Sequence, residues 1–372
     1  MAPKIKIAYI VSFLSNKAPI KVLFDIVKNL DSNIFDIYII TLKDEDSTSL
    51  LSEFDKLNLQ IFQISEYGKF NLLFIYLELS KFIKRNNIEI IHSHCTRSLL
   101  LSYFLKKNRL KKLHTIHSYP GFYSIATFGK FLGKLHNHIL LFLIKNIDYP
   151  IACSNSLKHL LKVNHNLNVI AILNGVDGIK PIYKSKNIIR QDLLLDSNTT
   201  YFLCLSRFSP EKNLLFLIES FLKINLPNVK LIALGDGQYF EDYKNKYSNR
   251  NVVFPGFKSN IEDYISASDY YVSSSLTEGL PLSVIESLSF GLPLLLSNIE
   301  AHLEIFNINP SVDIGIIFHN NDFESFNNSI ISILSKEYKC LSDNCFNYYQ
   351  DNFTSIRMSN EYKEFYLKLL YV

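Results

Sequence analysis

The chain has 372 residues, 48% of them hydrophobic, which is enough apolar material for two ordinary domains with separate cores. Its net charge of +4 is unevenly divided: residues 1–175 carry 22 Lys and Arg against 12 Asp and Glu, whereas residues 176–372 carry 17 against 23. Five cysteines without a CxxC pair argue against a disulfide framework or a zinc finger and for reduced thiols, and the longest apolar run, Ile139–Ile144, is far short of the ~18–20 residues that cross a bilayer.

In chain order, Ile5, Ile7, Tyr9 and Val11 alternate with Lys4, Lys6 and Ala8, which predicts a first strand rather than a signal peptide. Further strands are predicted at Ile37–Thr41, Ile88–His92, Leu113–Ile116, Tyr149–Ala152 and Val169–Ile172. Leu72, Leu73, Tyr76, Leu79 and Ile83 have the spacing of one helix face and predict a helix over 70–86. A polar stretch with Gly175, Gly178 and Pro181 (174–187) reads as a linker.

A second series follows. Strands are predicted at Tyr201–Leu205, Lys230–Leu234, Asn251–Phe254, Tyr270–Val272 and Leu294–Leu296, and helices at 213–224, 238–247, 259–267, 281–290 and 300–306. Alternation of strand and helix predicts parallel sheets covered on both faces. Ile356, Met358, Tyr362, Phe365, Tyr366 and Leu369 predict an amphipathic helix over 353–372 that needs another surface to cover.

Two segments carry chemistry. In SSSLTEGLPLSVIESLSFGLPLLLSN (273–298), a strand ends in small residues, Glu278 and Gly279 follow, and a helix begins near Pro281. Free amides at that helix start suit a diphosphate, and the carboxylates of Glu278 and Glu286 suit sugar and ribose hydroxyls. Taken alone, helix capping explains Glu278, and a solvated helix face explains Glu286, equally well. In LSRFSPEKNLLFLIESF (205–221), Arg207 and Lys212 stand between a strand end and a helix start, where two cations neutralise two phosphates. A solvated loop with the capping pattern of Ser209, Pro210 and Glu211 is the alternative. The acidic triplet Asp44, Glu45 and Asp46 reads as solvated loop.

These segments, in this order, resemble glycosyltransferase family 4. HTIHSYPGF (114–122), IACSNSLKHL (151–160), AILNGVD (171–177), LGDGQ (234–238), VVFPGF (252–257), FGLPLLLSN (290–298) and FTSIRMSNEYKEFY (353–366) extend the resemblance over nearly the whole chain, more strongly in its second half. The resemblance implies two tandem Rossmann-like doubly wound α/β domains with a cleft between them. These would be an acceptor-binding domain (1–178), a nucleotide-sugar-binding domain (179–352), and a terminal helix (353–372) crossing back to the first.

By resemblance, Glu278 contacts the transferred sugar and Glu286 the ribose. Gly279, Leu280, Pro281 and Leu282 lie near the sugar and phosphates, Arg207 and Lys212 hold the leaving diphosphate, and Gly235 and Phe254 line the nucleotide. His117 approaches the sugar from the first domain, although a buried core histidine is its ordinary reading. The family's glycine pair after the first strand is missing from SNKAPIKVLF (15–24). Lys21 stands where the following arginine would, and with Tyr119 it is a weaker acceptor-side candidate.

The implied reaction is a retaining transfer of a hexose or N-acetylhexosamine from a nucleoside-diphosphate sugar, of the UDP type common in the family. The acceptor is a hydroxyl of a glycan carried on a lipid such as undecaprenyl diphosphate. The expected setting is bacterial O-antigen or capsule assembly, in the cytoplasm at the inner face of the membrane. No metal cofactor and no nucleic-acid partner is expected. The basic, aromatic stretches 103–123 and 128–145 suit an anionic membrane surface, or equally ordinary helix packing with exposed lysines. A sugar-nucleotide epimerase, a phosphorylase or a non-catalytic binding protein on the same fold are the competing readings.

Overall fold

The computed structural model describes residues 3–64, 72–106, 108–178, 184–248 and 251–371. The chain forms two compact units, Met1–Gly175 joined by Ser355–Val372, and Val176–Thr354. Residues 70–71 of the expected helix 70–86 and 179–183 of the expected linker lie outside the described residues.

Unit 1 is a parallel sheet of β1 (Ile5–Val11), β2 (Phe35–Thr41), β3 (Gln60–Gln63), β4 (Ile90–Ser93), β5 (Lys111–Ile116), β6 (Tyr149–Ala152) and β7 (Ile170–Ala171), in the order β3-β2-β1-β4-β5-β6-β7. Ile7 registers with Ile37 on one side and Ile90 on the other. Strands covered on both faces need continuous apolar runs, and Ile7, Ile10, Ile39, Ile40, Ile90 and Ile91 are all fully buried. Edge strand β3, QIFQ, is largely exposed, and its glutamines give no apolar run to read.

Unit 2 repeats the plan with β8 (Thr200–Leu205), β9 (Val229–Leu234), β10 (Val252–Gly256), β11 (Tyr270–Ser273), β12 (Leu294–Ser297) and β13 (Gly315–Phe318), in the order β10-β9-β8-β11-β12-β13. Phe202, Phe208, Phe221, Phe318 and Phe326 form its aromatic core, with Phe202 stacked on Tyr270 at 4.7 Å. Arg190 fastens the Lys186–Asp192 helix by donating to Ala267 O, Ser197 O and Asp269 Oδ2. In both sheets the strand order reverses beside the first strand, between β1 and β4 and between β8 and β11. Ligands of doubly wound sheets bind at the carboxyl ends of the strands at such points.

The terminal helix, Ser355–Tyr371, belongs to unit 1, where it packs along the Ala18–Asn29 helix. Its need for a surface is met by buried polar contacts as well as by Met358. The Tyr366 hydroxyl meets Tyr9 Oη at 2.8 Å and His92 Nδ1 at 2.7 Å. His92 Nε2 meets Thr115 Oγ1 at 2.8 Å, and Thr115 Oγ1 meets the Tyr362 hydroxyl at 3.0 Å. Arg357 donates to Leu173 O and Asn174 O. A buried network of this kind is costly when broken, because each orphaned group keeps its desolvation penalty.

Within the acidic triplet, Asp44 and Asp46 are exposed loop residues as expected, and Glu45 alone departs from that reading. Glu45 accepts from Leu14 N (2.9 Å) and Ser49 Oγ (2.6 Å), while Asn16 N donates to Thr48 O and Leu50 N to Leu14 O. The segment after β1, which lacks the glycine pair, is thus pinned by the loop after β2. It leads into the Ala18–Asn29 helix with Pro in the first turn, where proline costs no hydrogen bond.

Tyr366→Phe removes one hydroxyl from between Tyr9 and His92 while keeping the ring. We expect a loss of about 1–3 kcal/mol in urea unfolding, with an unchanged slope. A loss within error would show that the network does not hold the helix.

Candidate active site

In unit 2, two strand ends meet at the reversal between β8 and β11. After β8 the chain runs through Arg207 into a 3-10 turn, Pro210–Lys212, capped by Asn213 in the left-handed conformation. After β11 it runs through Ser274, Ser275 and Glu278 to Pro281, which caps the Leu282–Ser289 helix. The small serines let the two loops interlock. Ser274 Oγ donates to Lys212 O (3.1 Å) and Asn213 O (3.0 Å), and Leu276 N donates to Glu211 O (2.8 Å).

That locking brings Lys212 Nζ to 2.5 Å from Glu278 Oε1. The same oxygen accepts from Ser275 Oγ at 2.8 Å. Both side chains are mostly buried. Burial pushes the Glu278 carboxyl up, but the Lys212 charge and the hydrogen bonds from Lys212 and Ser275 outweigh it, leaving the pKa below the ordinary value. Glu278 is therefore an ionised acceptor at neutral pH, and Lys212 a cation held in place. Removing either partner strands a largely buried charge, a change costing on the order of 3 kcal/mol.

Arg207 is half-exposed and donates to Glu211 Oε1 at 2.6 Å, an oxygen that Ser209 Oγ also meets at 2.7 Å. Here Ser209 does not cap the turn; it orients Glu211, which orients Arg207. Glu286 lies one turn into the Leu282–Ser289 helix and is partly exposed, and both it and Glu278 act electrostatically on the buried Tyr271 hydroxyl. Gly279, Leu280, Pro281 and Leu282 are buried at the mouth of that helix.

Gly235 follows β9 at φ +141°, and a Cβ there would stand 2.0 Å from Ser206 O. Only glycine lets the loops after β8 and β9 pass so closely. Phe254 differs from the other candidates: it packs against Phe208 and Phe240 at the margin of the core.

Beneath Glu278 lies a layer that sequence reasoning missed. Ser297 Oγ donates to Ser275 O (2.7 Å), Asn320 Nδ2 donates to the same oxygen (3.2 Å), and His302 Nδ1 lies 2.9 Å from Ser297 O. Burial lowers the His302 pKa to about 4 against the opposing pull of Glu278, so it is neutral. The run of serines from Ser273 to Ser275 was the available signal for this layer, since three consecutive small hydroxyl residues at a strand end exceed what a turn needs.

In unit 1 the carboxyl ends of β4 and β5 carry His94 and His117, with His94 Nδ1 3.1 Å from His117 Nε2. Burial, joined by neighbouring histidines, lowers both, His117 to about 3. The ordinary core reading of His117 holds in part: it is half-buried, whereas His94, which sequence reasoning passed over, is buried. Lys21 sits on the Ala18–Asn29 helix, half-buried. The Tyr119 hydroxyl bonds His165 Nε2 at 2.9 Å and accepts from Asn164 Nδ2, so it braces the loop after β5.

The basic stretches divide. Leu113 and Ile116 of β5 are buried strand and face no outside surface. The Phe122–Asn146 helix, kinked at Gly129, folds back so that Gly133 abuts the Ser124–Ile125 backbone and Ser124 Oγ meets His136 Nδ1. Its outer face exposes Phe131, Leu132, Leu135, Ile139 and Phe142 beside Lys130, Lys134 and Lys145. No helix among the described residues is long and apolar enough to cross a membrane, and none of them gather in a group of three or more metal-ligating side chains.

Comparison with known proteins gives the family and the fold. Residues 21–178 match the family model "Glycosyltransferase Family 4" and residues 185–349 match "Glycosyl transferases group 1". The UDP-Gal:alpha-D-GlcNAc-diphosphoundecaprenol alpha-1,3-galactosyltransferase of Escherichia coli is 27% identical over 79% of each chain. The O-antigen biosynthesis glycosyltransferase WclY of Escherichia coli is 25% identical over 98% of each. Anabaena Alr3699/HepE, solved in complex with UDP-glucose, superposes with a TM-score of 0.81 at 15% identity, covering 98% of this chain and 99% of that one. This fold of two parallel sheets with flanking helices is that of the GT-B glycosyltransferases, and the chain belongs to the glycosyltransferases that join a family 4 domain to a group 1 transferase domain.

Proposed function

We propose that this glycosyltransferase moves a hexose or N-acetylhexosamine from UDP to a hydroxyl of a lipid-linked glycan, with retention, during assembly of a bacterial surface polysaccharide. The observation that carries the donor half is the Lys212–Glu278 pair beside Arg207 at the reversal between β8 and β11. The relative named for UDP-Gal and a diphosphoundecaprenol acceptor and the neighbour crystallised with UDP-glucose support uridine and a lipid carrier.

In this reading unit 2 binds the donor. Arg207, Lys212 and the amides from Gly279 to Leu282 take the diphosphate, Glu286 takes the ribose, and Gly235 and Phe254 border the base. Glu278, kept ionised by Lys212, accepts from hydroxyls of the transferred sugar. These groups supply the positive charge that the leaving phosphates require, so the reading needs no divalent cation. The C1–O bond to phosphate breaks as the bond from C1 to the acceptor oxygen forms on the same face. The acceptor's proton passes to the departing phosphate oxygen. Unit 1 binds the acceptor, with His117, Lys21 and Tyr119 on its side of the reaction. The enzyme works in the cytoplasm at the inner face of the membrane, where the apolar and basic face of the Phe122–Asn146 helix meets anionic lipid.

Lys212→Ala is expected to lower kcat by about 100- to 1,000-fold, the scale of losing one preorganised charge-stabilising group, and Glu278→Gln by a similar factor. Arg207→Ala, half-exposed, should cost less. Steady-state transfer with UDP-sugars checks this, and near-normal rates in Lys212→Ala would remove the donor assignment. Incubation with donor alone separates the readings further: slow UDP release fits a transferase, whereas an isomerised nucleotide sugar fits an epimerase.

On vesicles containing phosphatidylglycerol, Phe131→Glu/Leu135→Glu should weaken sedimentation about 10-fold or more, since both burial and charge attraction are lost. Equal binding by wild type and variant, or none by either, would contradict membrane docking through this helix.

A further inference from the structure

His94 and His117 follow adjacent strands, β4 and β5, and their ring nitrogens Nδ1 and Nε2 face each other at 3.1 Å. A single proton must lie between them, because two bare nitrogens repel and two N–H groups clash. Two arrangements satisfy this. Either His94 Nδ1–H donates to His117 Nε2, or His117 Nε2–H donates to His94 Nδ1.

The surroundings choose between the two. His94 is 3% exposed, and its Nε2 is buried without a hydrogen-bond partner among the described residues. If His117 donated, the neutral His94 ring would carry its proton on that Nε2, leaving an N–H with no acceptor. If His94 donates, Nε2 carries only a lone pair. Orphaned buried N–H groups are the rarer and costlier of the two. The proton of His117 then sits on Nδ1, on a half-buried side chain that the pair does not close off. Both rings are neutral, pushed there by burial, so the arrangement persists across the physiological range.

We infer that His94 is a positioning residue that fixes His117 as a neutral Nδ1–H donor at the carboxyl edge of the unit 1 sheet. The ligand atom that His117 meets is accordingly an acceptor oxygen, a sugar hydroxyl or phosphate oxygen, and not an N–H group. The ligand class rests on the proposed transfer reaction; the tautomer does not. Nothing in a histidine's own chemistry forces Nδ1 to hold the proton; the bond made by the other ring nitrogen decides it.

Long-range 15N–1H correlation of the ligand-free protein, labelled at histidine and recorded at neutral pH, reads the tautomer directly, with the His117 signals identified by their loss in His117→Asn. Wild type should show His117 protonated at Nδ1. In His94→Leu the pair is broken and His117 should move toward Nε2–H, with kcat/KM for transfer falling on the order of 10-fold, the scale of one neutral hydrogen bond. A wild-type His117 protonated at Nε2 overturns the assignment, and this arm stands even if His94→Leu fails to fold. An Nδ1–H tautomer that survives in folded His94→Leu also overturns it. Failure of the wild-type protein to transfer sugar would count against the proposed function and leave these spectra unchanged.

Discussion

The ion pair between Lys212 and Glu278 is the constraint around which unit 2 is arranged. An ammonium and a carboxylate at 2.5 Å, both mostly withdrawn from water, persist only if each is also held by its own loop. The serine run after β11 and the 3-10 turn after β8 do that holding. Ser275 bonds the carboxylate, Ser274 bonds the backbone of Lys212, and Ser297 and Asn320 fasten Ser275 from below. Neutral His302 completes the underside without competing with Lys212 for Glu278. Such a pair is a poor source of stability and a good way to fix two charges in place.

Unit 1 solves a different problem with a similar device. Its terminal helix comes from beyond unit 2 in the sequence and has to be recognised by a sheet built from residues far away. Tyr366 and Tyr362 supply hydroxyls that the Tyr9–His92–Thr115 row satisfies, so the helix is held by polar matching as well as by apolar burial. His92 belongs to that structural row, while His94, two residues on, turns to His117. Strand β4 thus carries one histidine into the helix-binding row, and the residue just past its end carries another to the neighbouring loop.

The rhythm of both sheets was legible in the sequence, because central strands are apolar throughout. β1 was read at its full extent, Ile5–Val11, and β8 to within one residue. Strand β3 escaped because an exposed edge strand with glutamine at both ends has no apolar signature. Strand β13 and the helices Phe323–Ser335 and Tyr338–Asn352 went unread. In GIIF the apolar run is too short to distinguish strand from helix, and FNYYQDN dilutes its helical face with polar residues.

At the site, residue type and local order singled out Glu278, Lys212 and Arg207, since charges flanking strand ends stand out in one dimension. What could not be read was contact across sequence. Nothing in the spacing of Ser297, His302 and Asn320 announces that they meet under Ser275, or that His94 meets His117 across a β4–β5 register. The same limit misassigned Glu45, whose neighbours in sequence are a polar loop but whose partner is Leu14 N, 31 residues away.

The central claim is that the donor nucleotide sits at the reversal between β8 and β11. A crystal structure with UDP tests it most directly. The account predicts density for the diphosphate within hydrogen-bond reach of Arg207, Lys212 and the amides from Gly279 to Leu282, with Glu286 at the ribose. UDP bound away from the carboxyl ends of β8 and β11, with Lys212 still paired to Glu278 and touching no phosphate, would contradict it.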